Sequence, residues 1–215
     1  MAGTLKARII YLPTVPHTVE AANRALISAR EHGLDAELYP GYAPKEADDI
    51  IRHLHLKPYS PGPKIYDIKN SKPGVRGCFV SHLHLWKWCF GEAQEPVVIM
   101  EHDAIITRDI PKIDFRDILH LDAWRFEEDP DYDGEDEVDE FFELRKGQKT
   151  MRGAYAYIIK PHAAEKLVQG AMRDGYCAAD MHISDRHGLK LERIAPRCAI
   201  VSDSRSLTSD RNFYQ

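Results

Sequence analysis

The chain has 215 residues, 43% hydrophobic and 29% charged, with a formal net charge of −5. That balance supports one folded domain with a sizeable core and excludes disordered and collagen-like chains. No apolar run reaches the ~18 residues that a spanning helix needs, and Met1 to Arg8 lacks the charged-then-apolar layout of a secretory signal, so no membrane span is expected and the cytoplasm is the expected compartment.

In chain order, Arg8 to Leu12 reads as a short strand stopped by Pro13 and Pro16. Thr18 then reads as the cap of a helix with Val19, Ala22, Leu26 and Ala29 on one face, and Gly33 stands where a C-terminal glycine is expected. Ala36 to Tyr39 is a second strand, and this β-α-β opening predicts a parallel sheet. Pro44 starts a helix running to about Leu56, and Lys57 to Gly77, containing the Pro/Gly-rich Pro58 to Pro63, reads as an irregular connection.

Gly77 to Phe90 (GCFVSHLHLWKWCF) has helical spacing, with Phe79, His82, Leu83, Trp86 and Phe90 on one face. Glu95-Pro96 turns into Val97 to Met100, a β-branched run read as a strand buried on both faces, and Glu101-His102-Asp103 follows at once. Ile118 to Trp124 and Arg152 to Ile159 read as further strands, Pro161 to Met172 as a helix, Ala178 to Arg186 as a short helix, and Leu189 to Ile194 and Ala199 to Val201 as short strands. The whole is expected to be an α/β single domain, residues 1–215, with a central mostly parallel sheet flanked by helices and an acidic loop at about 127–143. Glu127 to Glu143 carries eleven acids and no Lys or Arg; with those set aside, the 29 basic residues outnumber the remaining acids. It reads as a solvated loop or as a flap over a basic groove, and the mildly basic body suits a phosphate-bearing ligand.

Cys78, Cys89, Cys177 and Cys198 show no CxxC spacing, and Cys78 and Cys89 fall roughly 16 Å apart along one predicted helix, too far to bridge. They read as buried thiols in a reducing compartment.

Four groups of residues carry candidate chemistry. Glu101-His102-Asp103 places two carboxylates at the C-terminal end of a buried strand, where open α/β sheets bind ligands and where hard cations find oxygen donors; the alternative is a surface turn. His82 and His84, two apart on a helix, face different ways and make a poor metal pair, so His82 is expected to pack beside Trp86 with its ring nitrogens hydrogen-bonded, ordering the site from behind with Ser81 and His102. Asp180, His182, Asp185 and His187 form a compact polar segment. Asp180 there reads as a general base or as a helix cap, with Asp185 next in line, and His182 or His187 as a completing metal ligand. Arg24, Arg76 and Arg152 stand at element edges where they can reach a phosphate.

Gly77-Cys78-Phe79-Val80-Ser81-His82, then Leu85-Trp86-Lys87, then Val98 to Ala104 resemble the core of glycosyltransferase family 25, the lipooligosaccharide and collagen-type galactosyltransferases. Ile118 to Leu121, Gly153 to Ile159, Ala178-Ala179-Asp180 and Ile10-Tyr11-Leu12 resemble further motifs of that family in the same order. The resemblance implies a type A glycosyltransferase (Rossmann-like) fold, a UDP-sugar donor, a divalent cation (manganese or magnesium) and inverting transfer. By it, Asp103 matches the metal-binding aspartate, Glu101 the leading glutamate of the metal and donor site, and Asp180 the base; Arg24, Arg152 and Gly153 join Glu101 as expected donor-binding residues, and His182 joins the metal set. The acceptor is expected to be an oligosaccharide, a hydroxylated protein side chain or a hydroxylated base in nucleic acid. His102 departs from the family pattern, standing where an acid is usual, and Asn23-Arg24 supplies one arginine in place of two. The rival expectations are a degenerate nucleotide-sugar-binding module and a metal-dependent hydrolase using the histidines.

Overall fold

A computed structural model describes residues 4–59, 72–122, 149–151 and 153–202, together with the backbone of 143–146. The elements are β1 (Lys6–Tyr11), α1 (Pro16–Glu31), β2 (Asp35–Pro40), α2 (Pro44–His53), α3 (Pro73–Trp88), β3 (Val97–Glu101), β4 (Ala104–Ile106), β5 (Ile118–His120), β6 (Glu143–Lys146), β7 (Ala156–Ile159), α4 (Pro161–Asp174), α5 (Ala179–His182), β8 (Leu191–Ala195) and β9 (Ala199–Val201). Seven strands form the main sheet in the order β2-β1-β3-β7-β5-β8-β6, and β4 pairs with β9 in a separate two-stranded sheet. β2, β1, β3, β5 and β8 run one way, while β7 and β6 run against them. The sheet is therefore mostly parallel and the fold Rossmann-like, as expected.

Strand alternation divides the core into two layers. Ile10, Val97, Ile99, Ile118, Tyr157 and Ile159 face α2, α3 and α4. Ala7, Ile9, Val98, Met100, Leu119, Ala156 and Ile158 face α1 and the β4-β9 pair. Both faces of β3 are fully covered, which is why its sequence lacks a polar break.

Three local expectations are corrected. Helix α1 begins at Pro16 with Val15 as its cap, because proline, lacking an N–H, suits the first helical position. Thr18 lies inside the first turn, where its hydroxyl accepts from the Leu12 N–H (3.2 Å) and donates to the Leu12 carbonyl (2.8 Å), tying the end of β1 to the helix. The buried face of α1 is the small-residue row Thr18, Ala21, Ala22, Ala25, Ser28 and Ala29, with Val19 and Leu26 at its margin. Helix α3 starts four residues before Gly77, again on a proline, so Pro73 to Gly77 is helical rather than irregular. In the strand expected over Arg152 to Ile159, the described residues Gly153 to Tyr155 form a turn and β7 begins at Ala156; Gly153 at φ 71° turns the chain into it. The acidic stretch up to residue 142, Arg152, and residues 60–71 and 123–124 of the expected loop and strand lie outside the described residues.

Candidate functional site

The five co-directional strands end on one edge, and the connections leaving it carry Leu12 after β1, Gly41-Tyr42 after β2, His102-Asp103 after β3, Asp122 after β5 and Arg197 after β8. Because β7 runs the other way, Gly153 to Tyr155 enters the sheet at this same edge, and the Tyr155 carbonyl accepts from the Glu101 N–H at 2.7 Å.

Glu101 shares a strand face with Val97 and Ile99, so its side chain meets α3. There the Cys78 thiol donates to Glu101 Oε1 at 3.4 Å and His82 Nε2 lies 3.3 Å from the same oxygen. His82 is fully buried; its Nδ1 is 2.8 Å from the Tyr157 hydroxyl, which accepts from Trp86 Nε1 at 2.9 Å. Indole only donates and carboxylate only accepts, so the chain has one consistent direction: Trp86 N–H to Tyr157 O, Tyr157 O–H to Nδ1, and Nε2–H to Glu101. Burial pushes the Glu101 carboxyl up, but the hydrogen bond from His82, the electrostatic influence of the His82 and His102 rings and the Cys78 thiol outweigh it and hold the group below its ordinary value. The thiol itself is driven well above its ordinary value by burial, by Glu101, and then by the charges of Asp180 and Asp103. Asp180 and Asp103 thus lie within electrostatic reach of Cys78.

The Gly-Cys-x-x-Ser-His run has a physical reason. The Tyr42 carbonyl oxygen would stand 2.6 Å from a Cβ at Gly77, so only glycine lets the loop after β2 cross α3 there. Ser81 Oγ accepts from the Tyr42 N–H (2.9 Å) and donates to the Gly77 carbonyl (2.7 Å). The loop so fixed closes a pocket of about 50 Å³ between Tyr11, Leu12, Tyr42, Cys78, Ser81 and His102. His102 is 7% exposed, and its Nε2 has no hydrogen-bond partner among the described residues. Burial depresses the basicity of its imidazole, Glu101 opposing and His17 adding to the effect.

On the other side of the edge, Asp103 and Asp122 are 7% and 2% exposed. The Tyr155 hydroxyl donates to Asp122 Oδ2, and Tyr155 is raised by burial, by Asp122 and also by Asp103, with Arg197 opposing. Asp103 therefore lies within reach of both Cys78 and Tyr155. His120, whose Nε2 is 2.8 Å from the Gly153 carbonyl and whose Nδ1 is 2.7 Å from the Asp122 carbonyl, ties the end of β5 to the turn before β7.

Of the expected site residues, the structure brings Glu101, His102, Asp103 and Gly153 to this edge, sets Ser81 and His82 on α3 behind it, and holds Asp180 within electrostatic reach of Cys78. Arg24 sits on the exposed face of α1, paired with Glu20 at 3.0 Å, and Arg76 pairs with Asp48. Asp185 is exposed on the short 3-10 turn Asp185–His187. His182 is fully buried and stacked on Trp86, with Nε2 at 2.9 Å from the Leu167 carbonyl and Nδ1 at 3.2 Å from Arg186 Nη2. This arrangement leaves no ring nitrogen of His182 for a cation, which corrects its reading as a ligand: it is a core histidine. His187 packs against it, ring centroids 4.8 Å apart. Asp122, Tyr155 and Tyr157 were not singled out from sequence. Asp122 alone carried a signal, an acid directly after a buried strand, the same placement that marks Asp103.

No helix among the described residues is long and apolar enough to cross a membrane. The sequence model of glycosyltransferase family 25 (LPS biosynthesis protein) matches residues 30–183, which includes α3, β3, Glu101-His102-Asp103 and Asp180. A "Glycosyltransferase 25 family member" from Aedes aegypti is 27% identical over 135 residues, 56% of this chain and 22% of the relative, so the chain spans only about a fifth of that protein's length. With the family match running across the sheet edge and the groups that converge on it, the chain belongs to glycosyltransferase family 25.

Proposed function

We propose that the chain is a glycosyltransferase that moves a sugar from a nucleotide-sugar donor, a UDP-sugar, to an acceptor hydroxyl with inversion, using a divalent cation. The observation that carries this reading is the placement of two buried carboxylates, Asp103 after β3 and Asp122 after β5, at the C-terminal edge of a mostly parallel sheet, both within electrostatic reach of Tyr155.

The donor set fits a hard cation: two nearly sealed carboxylates are acceptor-only oxygen ligands, the type that manganese and magnesium take. Asp103 and Asp122 would hold it. When bound, the cation supplies positive charge opposite the leaving diphosphate. The chain's own residues do the rest. His82, with Cys78 and Tyr157 behind it, fixes the Glu101 carboxylate and keeps it ionised, and Ser81 holds the Tyr42 loop in place beside His102 at the same edge. Asp180 takes the proton of the acceptor hydroxyl as its oxygen bonds to the anomeric carbon and the diphosphate leaves with the bonding pair from the opposite face. The acceptor is an oligosaccharide, a hydroxylated protein side chain or a hydroxylated base. His102, neutral and facing the pocket, replaces a negative charge with a ring that donates or accepts one hydrogen bond.

The test is release of nucleotide diphosphate from a panel of UDP-, GDP- and CMP-sugars with manganese, with and without candidate acceptors. Release from one donor class, lost in Asp103→Asn, is expected. Wild-type rates in Asp103→Asn would overturn the assignment.

A further inference from the structure

We propose that Cys78, His82 and Glu101 form a second cation site, selective for thiophilic divalent ions of the zinc type and separate from the Asp103–Asp122 carboxylates. Cys78 and His82 stand four apart on α3 and so share a face, and Glu101 reaches that face from β3. One sulfur, one ring nitrogen and one carboxylate oxygen lie within 4.8 Å of one another. The distances suit an ion. The Cys78 Sγ to Oε1 and His82 Nε2 to Oε1 separations are 3.4 and 3.3 Å. Ligands held about 2.0–2.3 Å from a tetrahedral ion are themselves roughly 3.3–3.8 Å apart, so the two separations from Oε1 already match the edge lengths of such a site, and the third, sulfur to nitrogen, is within 4.8 Å.

A second observation points the same way. His102 is more than nine-tenths buried, lines the pocket that Cys78 also lines, and lies within electrostatic reach of Glu101, with Nε2 unpartnered among the described residues. Because its ring nitrogens are not among the atoms that lie within 4.8 Å of one another, it completes the coordination through a water. The side of His82 away from the site is braced by Tyr157 and Trp86, the kind of outer support that ligating histidines have. A sulfur, nitrogen and oxygen set favours zinc or cobalt over magnesium or manganese, which the neighbouring all-oxygen set prefers. Binding forms a metal–sulfur bond and releases the thiol proton to solvent, while the imidazole proton moves from Nε2 to Nδ1 and the Tyr157 hydroxyl rotates its own hydrogen away so that its oxygen accepts from Nδ1–H.

The site needs neither donor nor acceptor, so its test is independent of the transferase reading. Full-length protein is titrated anaerobically with Co²⁺ and followed by absorbance. The expected result is a thiolate-to-cobalt charge-transfer band in the near ultraviolet that saturates at one ion per chain, is bleached by Zn²⁺ and survives excess Mn²⁺. Cys78→Ser removes the band, Cys177→Ser keeps it, and Glu101→Gln, which keeps the side chain's shape, weakens Co²⁺ binding at least tenfold. Absence of the band in the wild-type protein, its persistence in Cys78→Ser, or unchanged affinity in Glu101→Gln would overturn the proposal.

Discussion

Replacing Tyr157 by Phe removes one oxygen from the middle of the chain that runs from Trp86 to Glu101. Tyr157 is fully buried, and its hydroxyl stands 2.9 Å from Trp86 Nε1 and 2.8 Å from His82 Nδ1. The substitution leaves an indole N–H and a ring nitrogen without partners in the layer lined by Phe79 and Leu83, beyond the reach of water. Each orphaned group costs about 1–3 kcal/mol, partly offset because phenylalanine buries no hydroxyl, so the net loss is about 2–4 kcal/mol. Urea unfolding followed by circular dichroism reads it as a fall in midpoint with unchanged slope. In Trp86→Phe/Tyr157→Phe the loss is less than the sum of the two single losses, since the second change removes a partner already orphaned. A Tyr157→Phe loss below about 0.5 kcal/mol, the error of such a comparison, would refute the reasoning.

Gly77→Ala brings a Cβ to 2.6 Å from the Tyr42 carbonyl oxygen and costs about 1–3 kcal/mol by thermal or urea unfolding, whereas Gly91→Ala, with nothing within 4 Å, stays close to wild type. Burial drops the His182 pKa to about 3, with Arg186 and His187 adding to the fall and the Leu167 carbonyl and Asp174 opposing it. The unfolded chain therefore binds the proton first: stability is full above about pH 6.5 and is lost as pH falls toward 3, by up to about 1.4 kcal/mol per pH unit. His187, lowered to about 4 for the same first reason, adds to the slope, so His182→Phe should flatten the dependence of Tm on pH between 6 and 4 without abolishing it; an unchanged slope would count against the assignment. Asp180→Asn keeps donor binding and loses transfer; undiminished turnover would move the base elsewhere.

Much of the fold was legible because its elements announce themselves by period and punctuation. Val97 to Met100 has no polar residue since both of its faces are covered, and Pro44 and Pro161 mark helix starts. Pro16 and Pro73 carry the same signal, but Thr18 resembles a helix cap and Gly77 a helix start. Both residues serve tertiary contacts instead: the Thr18 hydroxyl holds Leu12, and Gly77 makes room for the Tyr42 loop. The site was legible where chemistry follows a strand end, as at Glu101 and Asp103, and where His82 pairs with Trp86 one turn on. It was not legible where partners meet across the sheet. Nothing local ties Cys78 to Glu101 or Tyr155 to Asp122, and the burial of His182 between Trp86 and Leu167 depends on how α4 and α5 pack on α3.

The central claim, that the sheet edge around Asp103 binds a nucleotide-sugar with a hard cation, is tested most directly by thermal shift. Wild-type protein and Asp103→Asn are each melted with UDP-, GDP- and CMP-sugars, with and without Mn²⁺. A ligand that binds only the folded state at 100 times its Kd adds about 2.7 kcal/mol, a rise of several degrees for a chain of this size. The account predicts such a rise for the wild type with a UDP-sugar and Mn²⁺ together, and none for Asp103→Asn. A rise of the same size in Asp103→Asn, or no rise in the wild type with any donor, would contradict it.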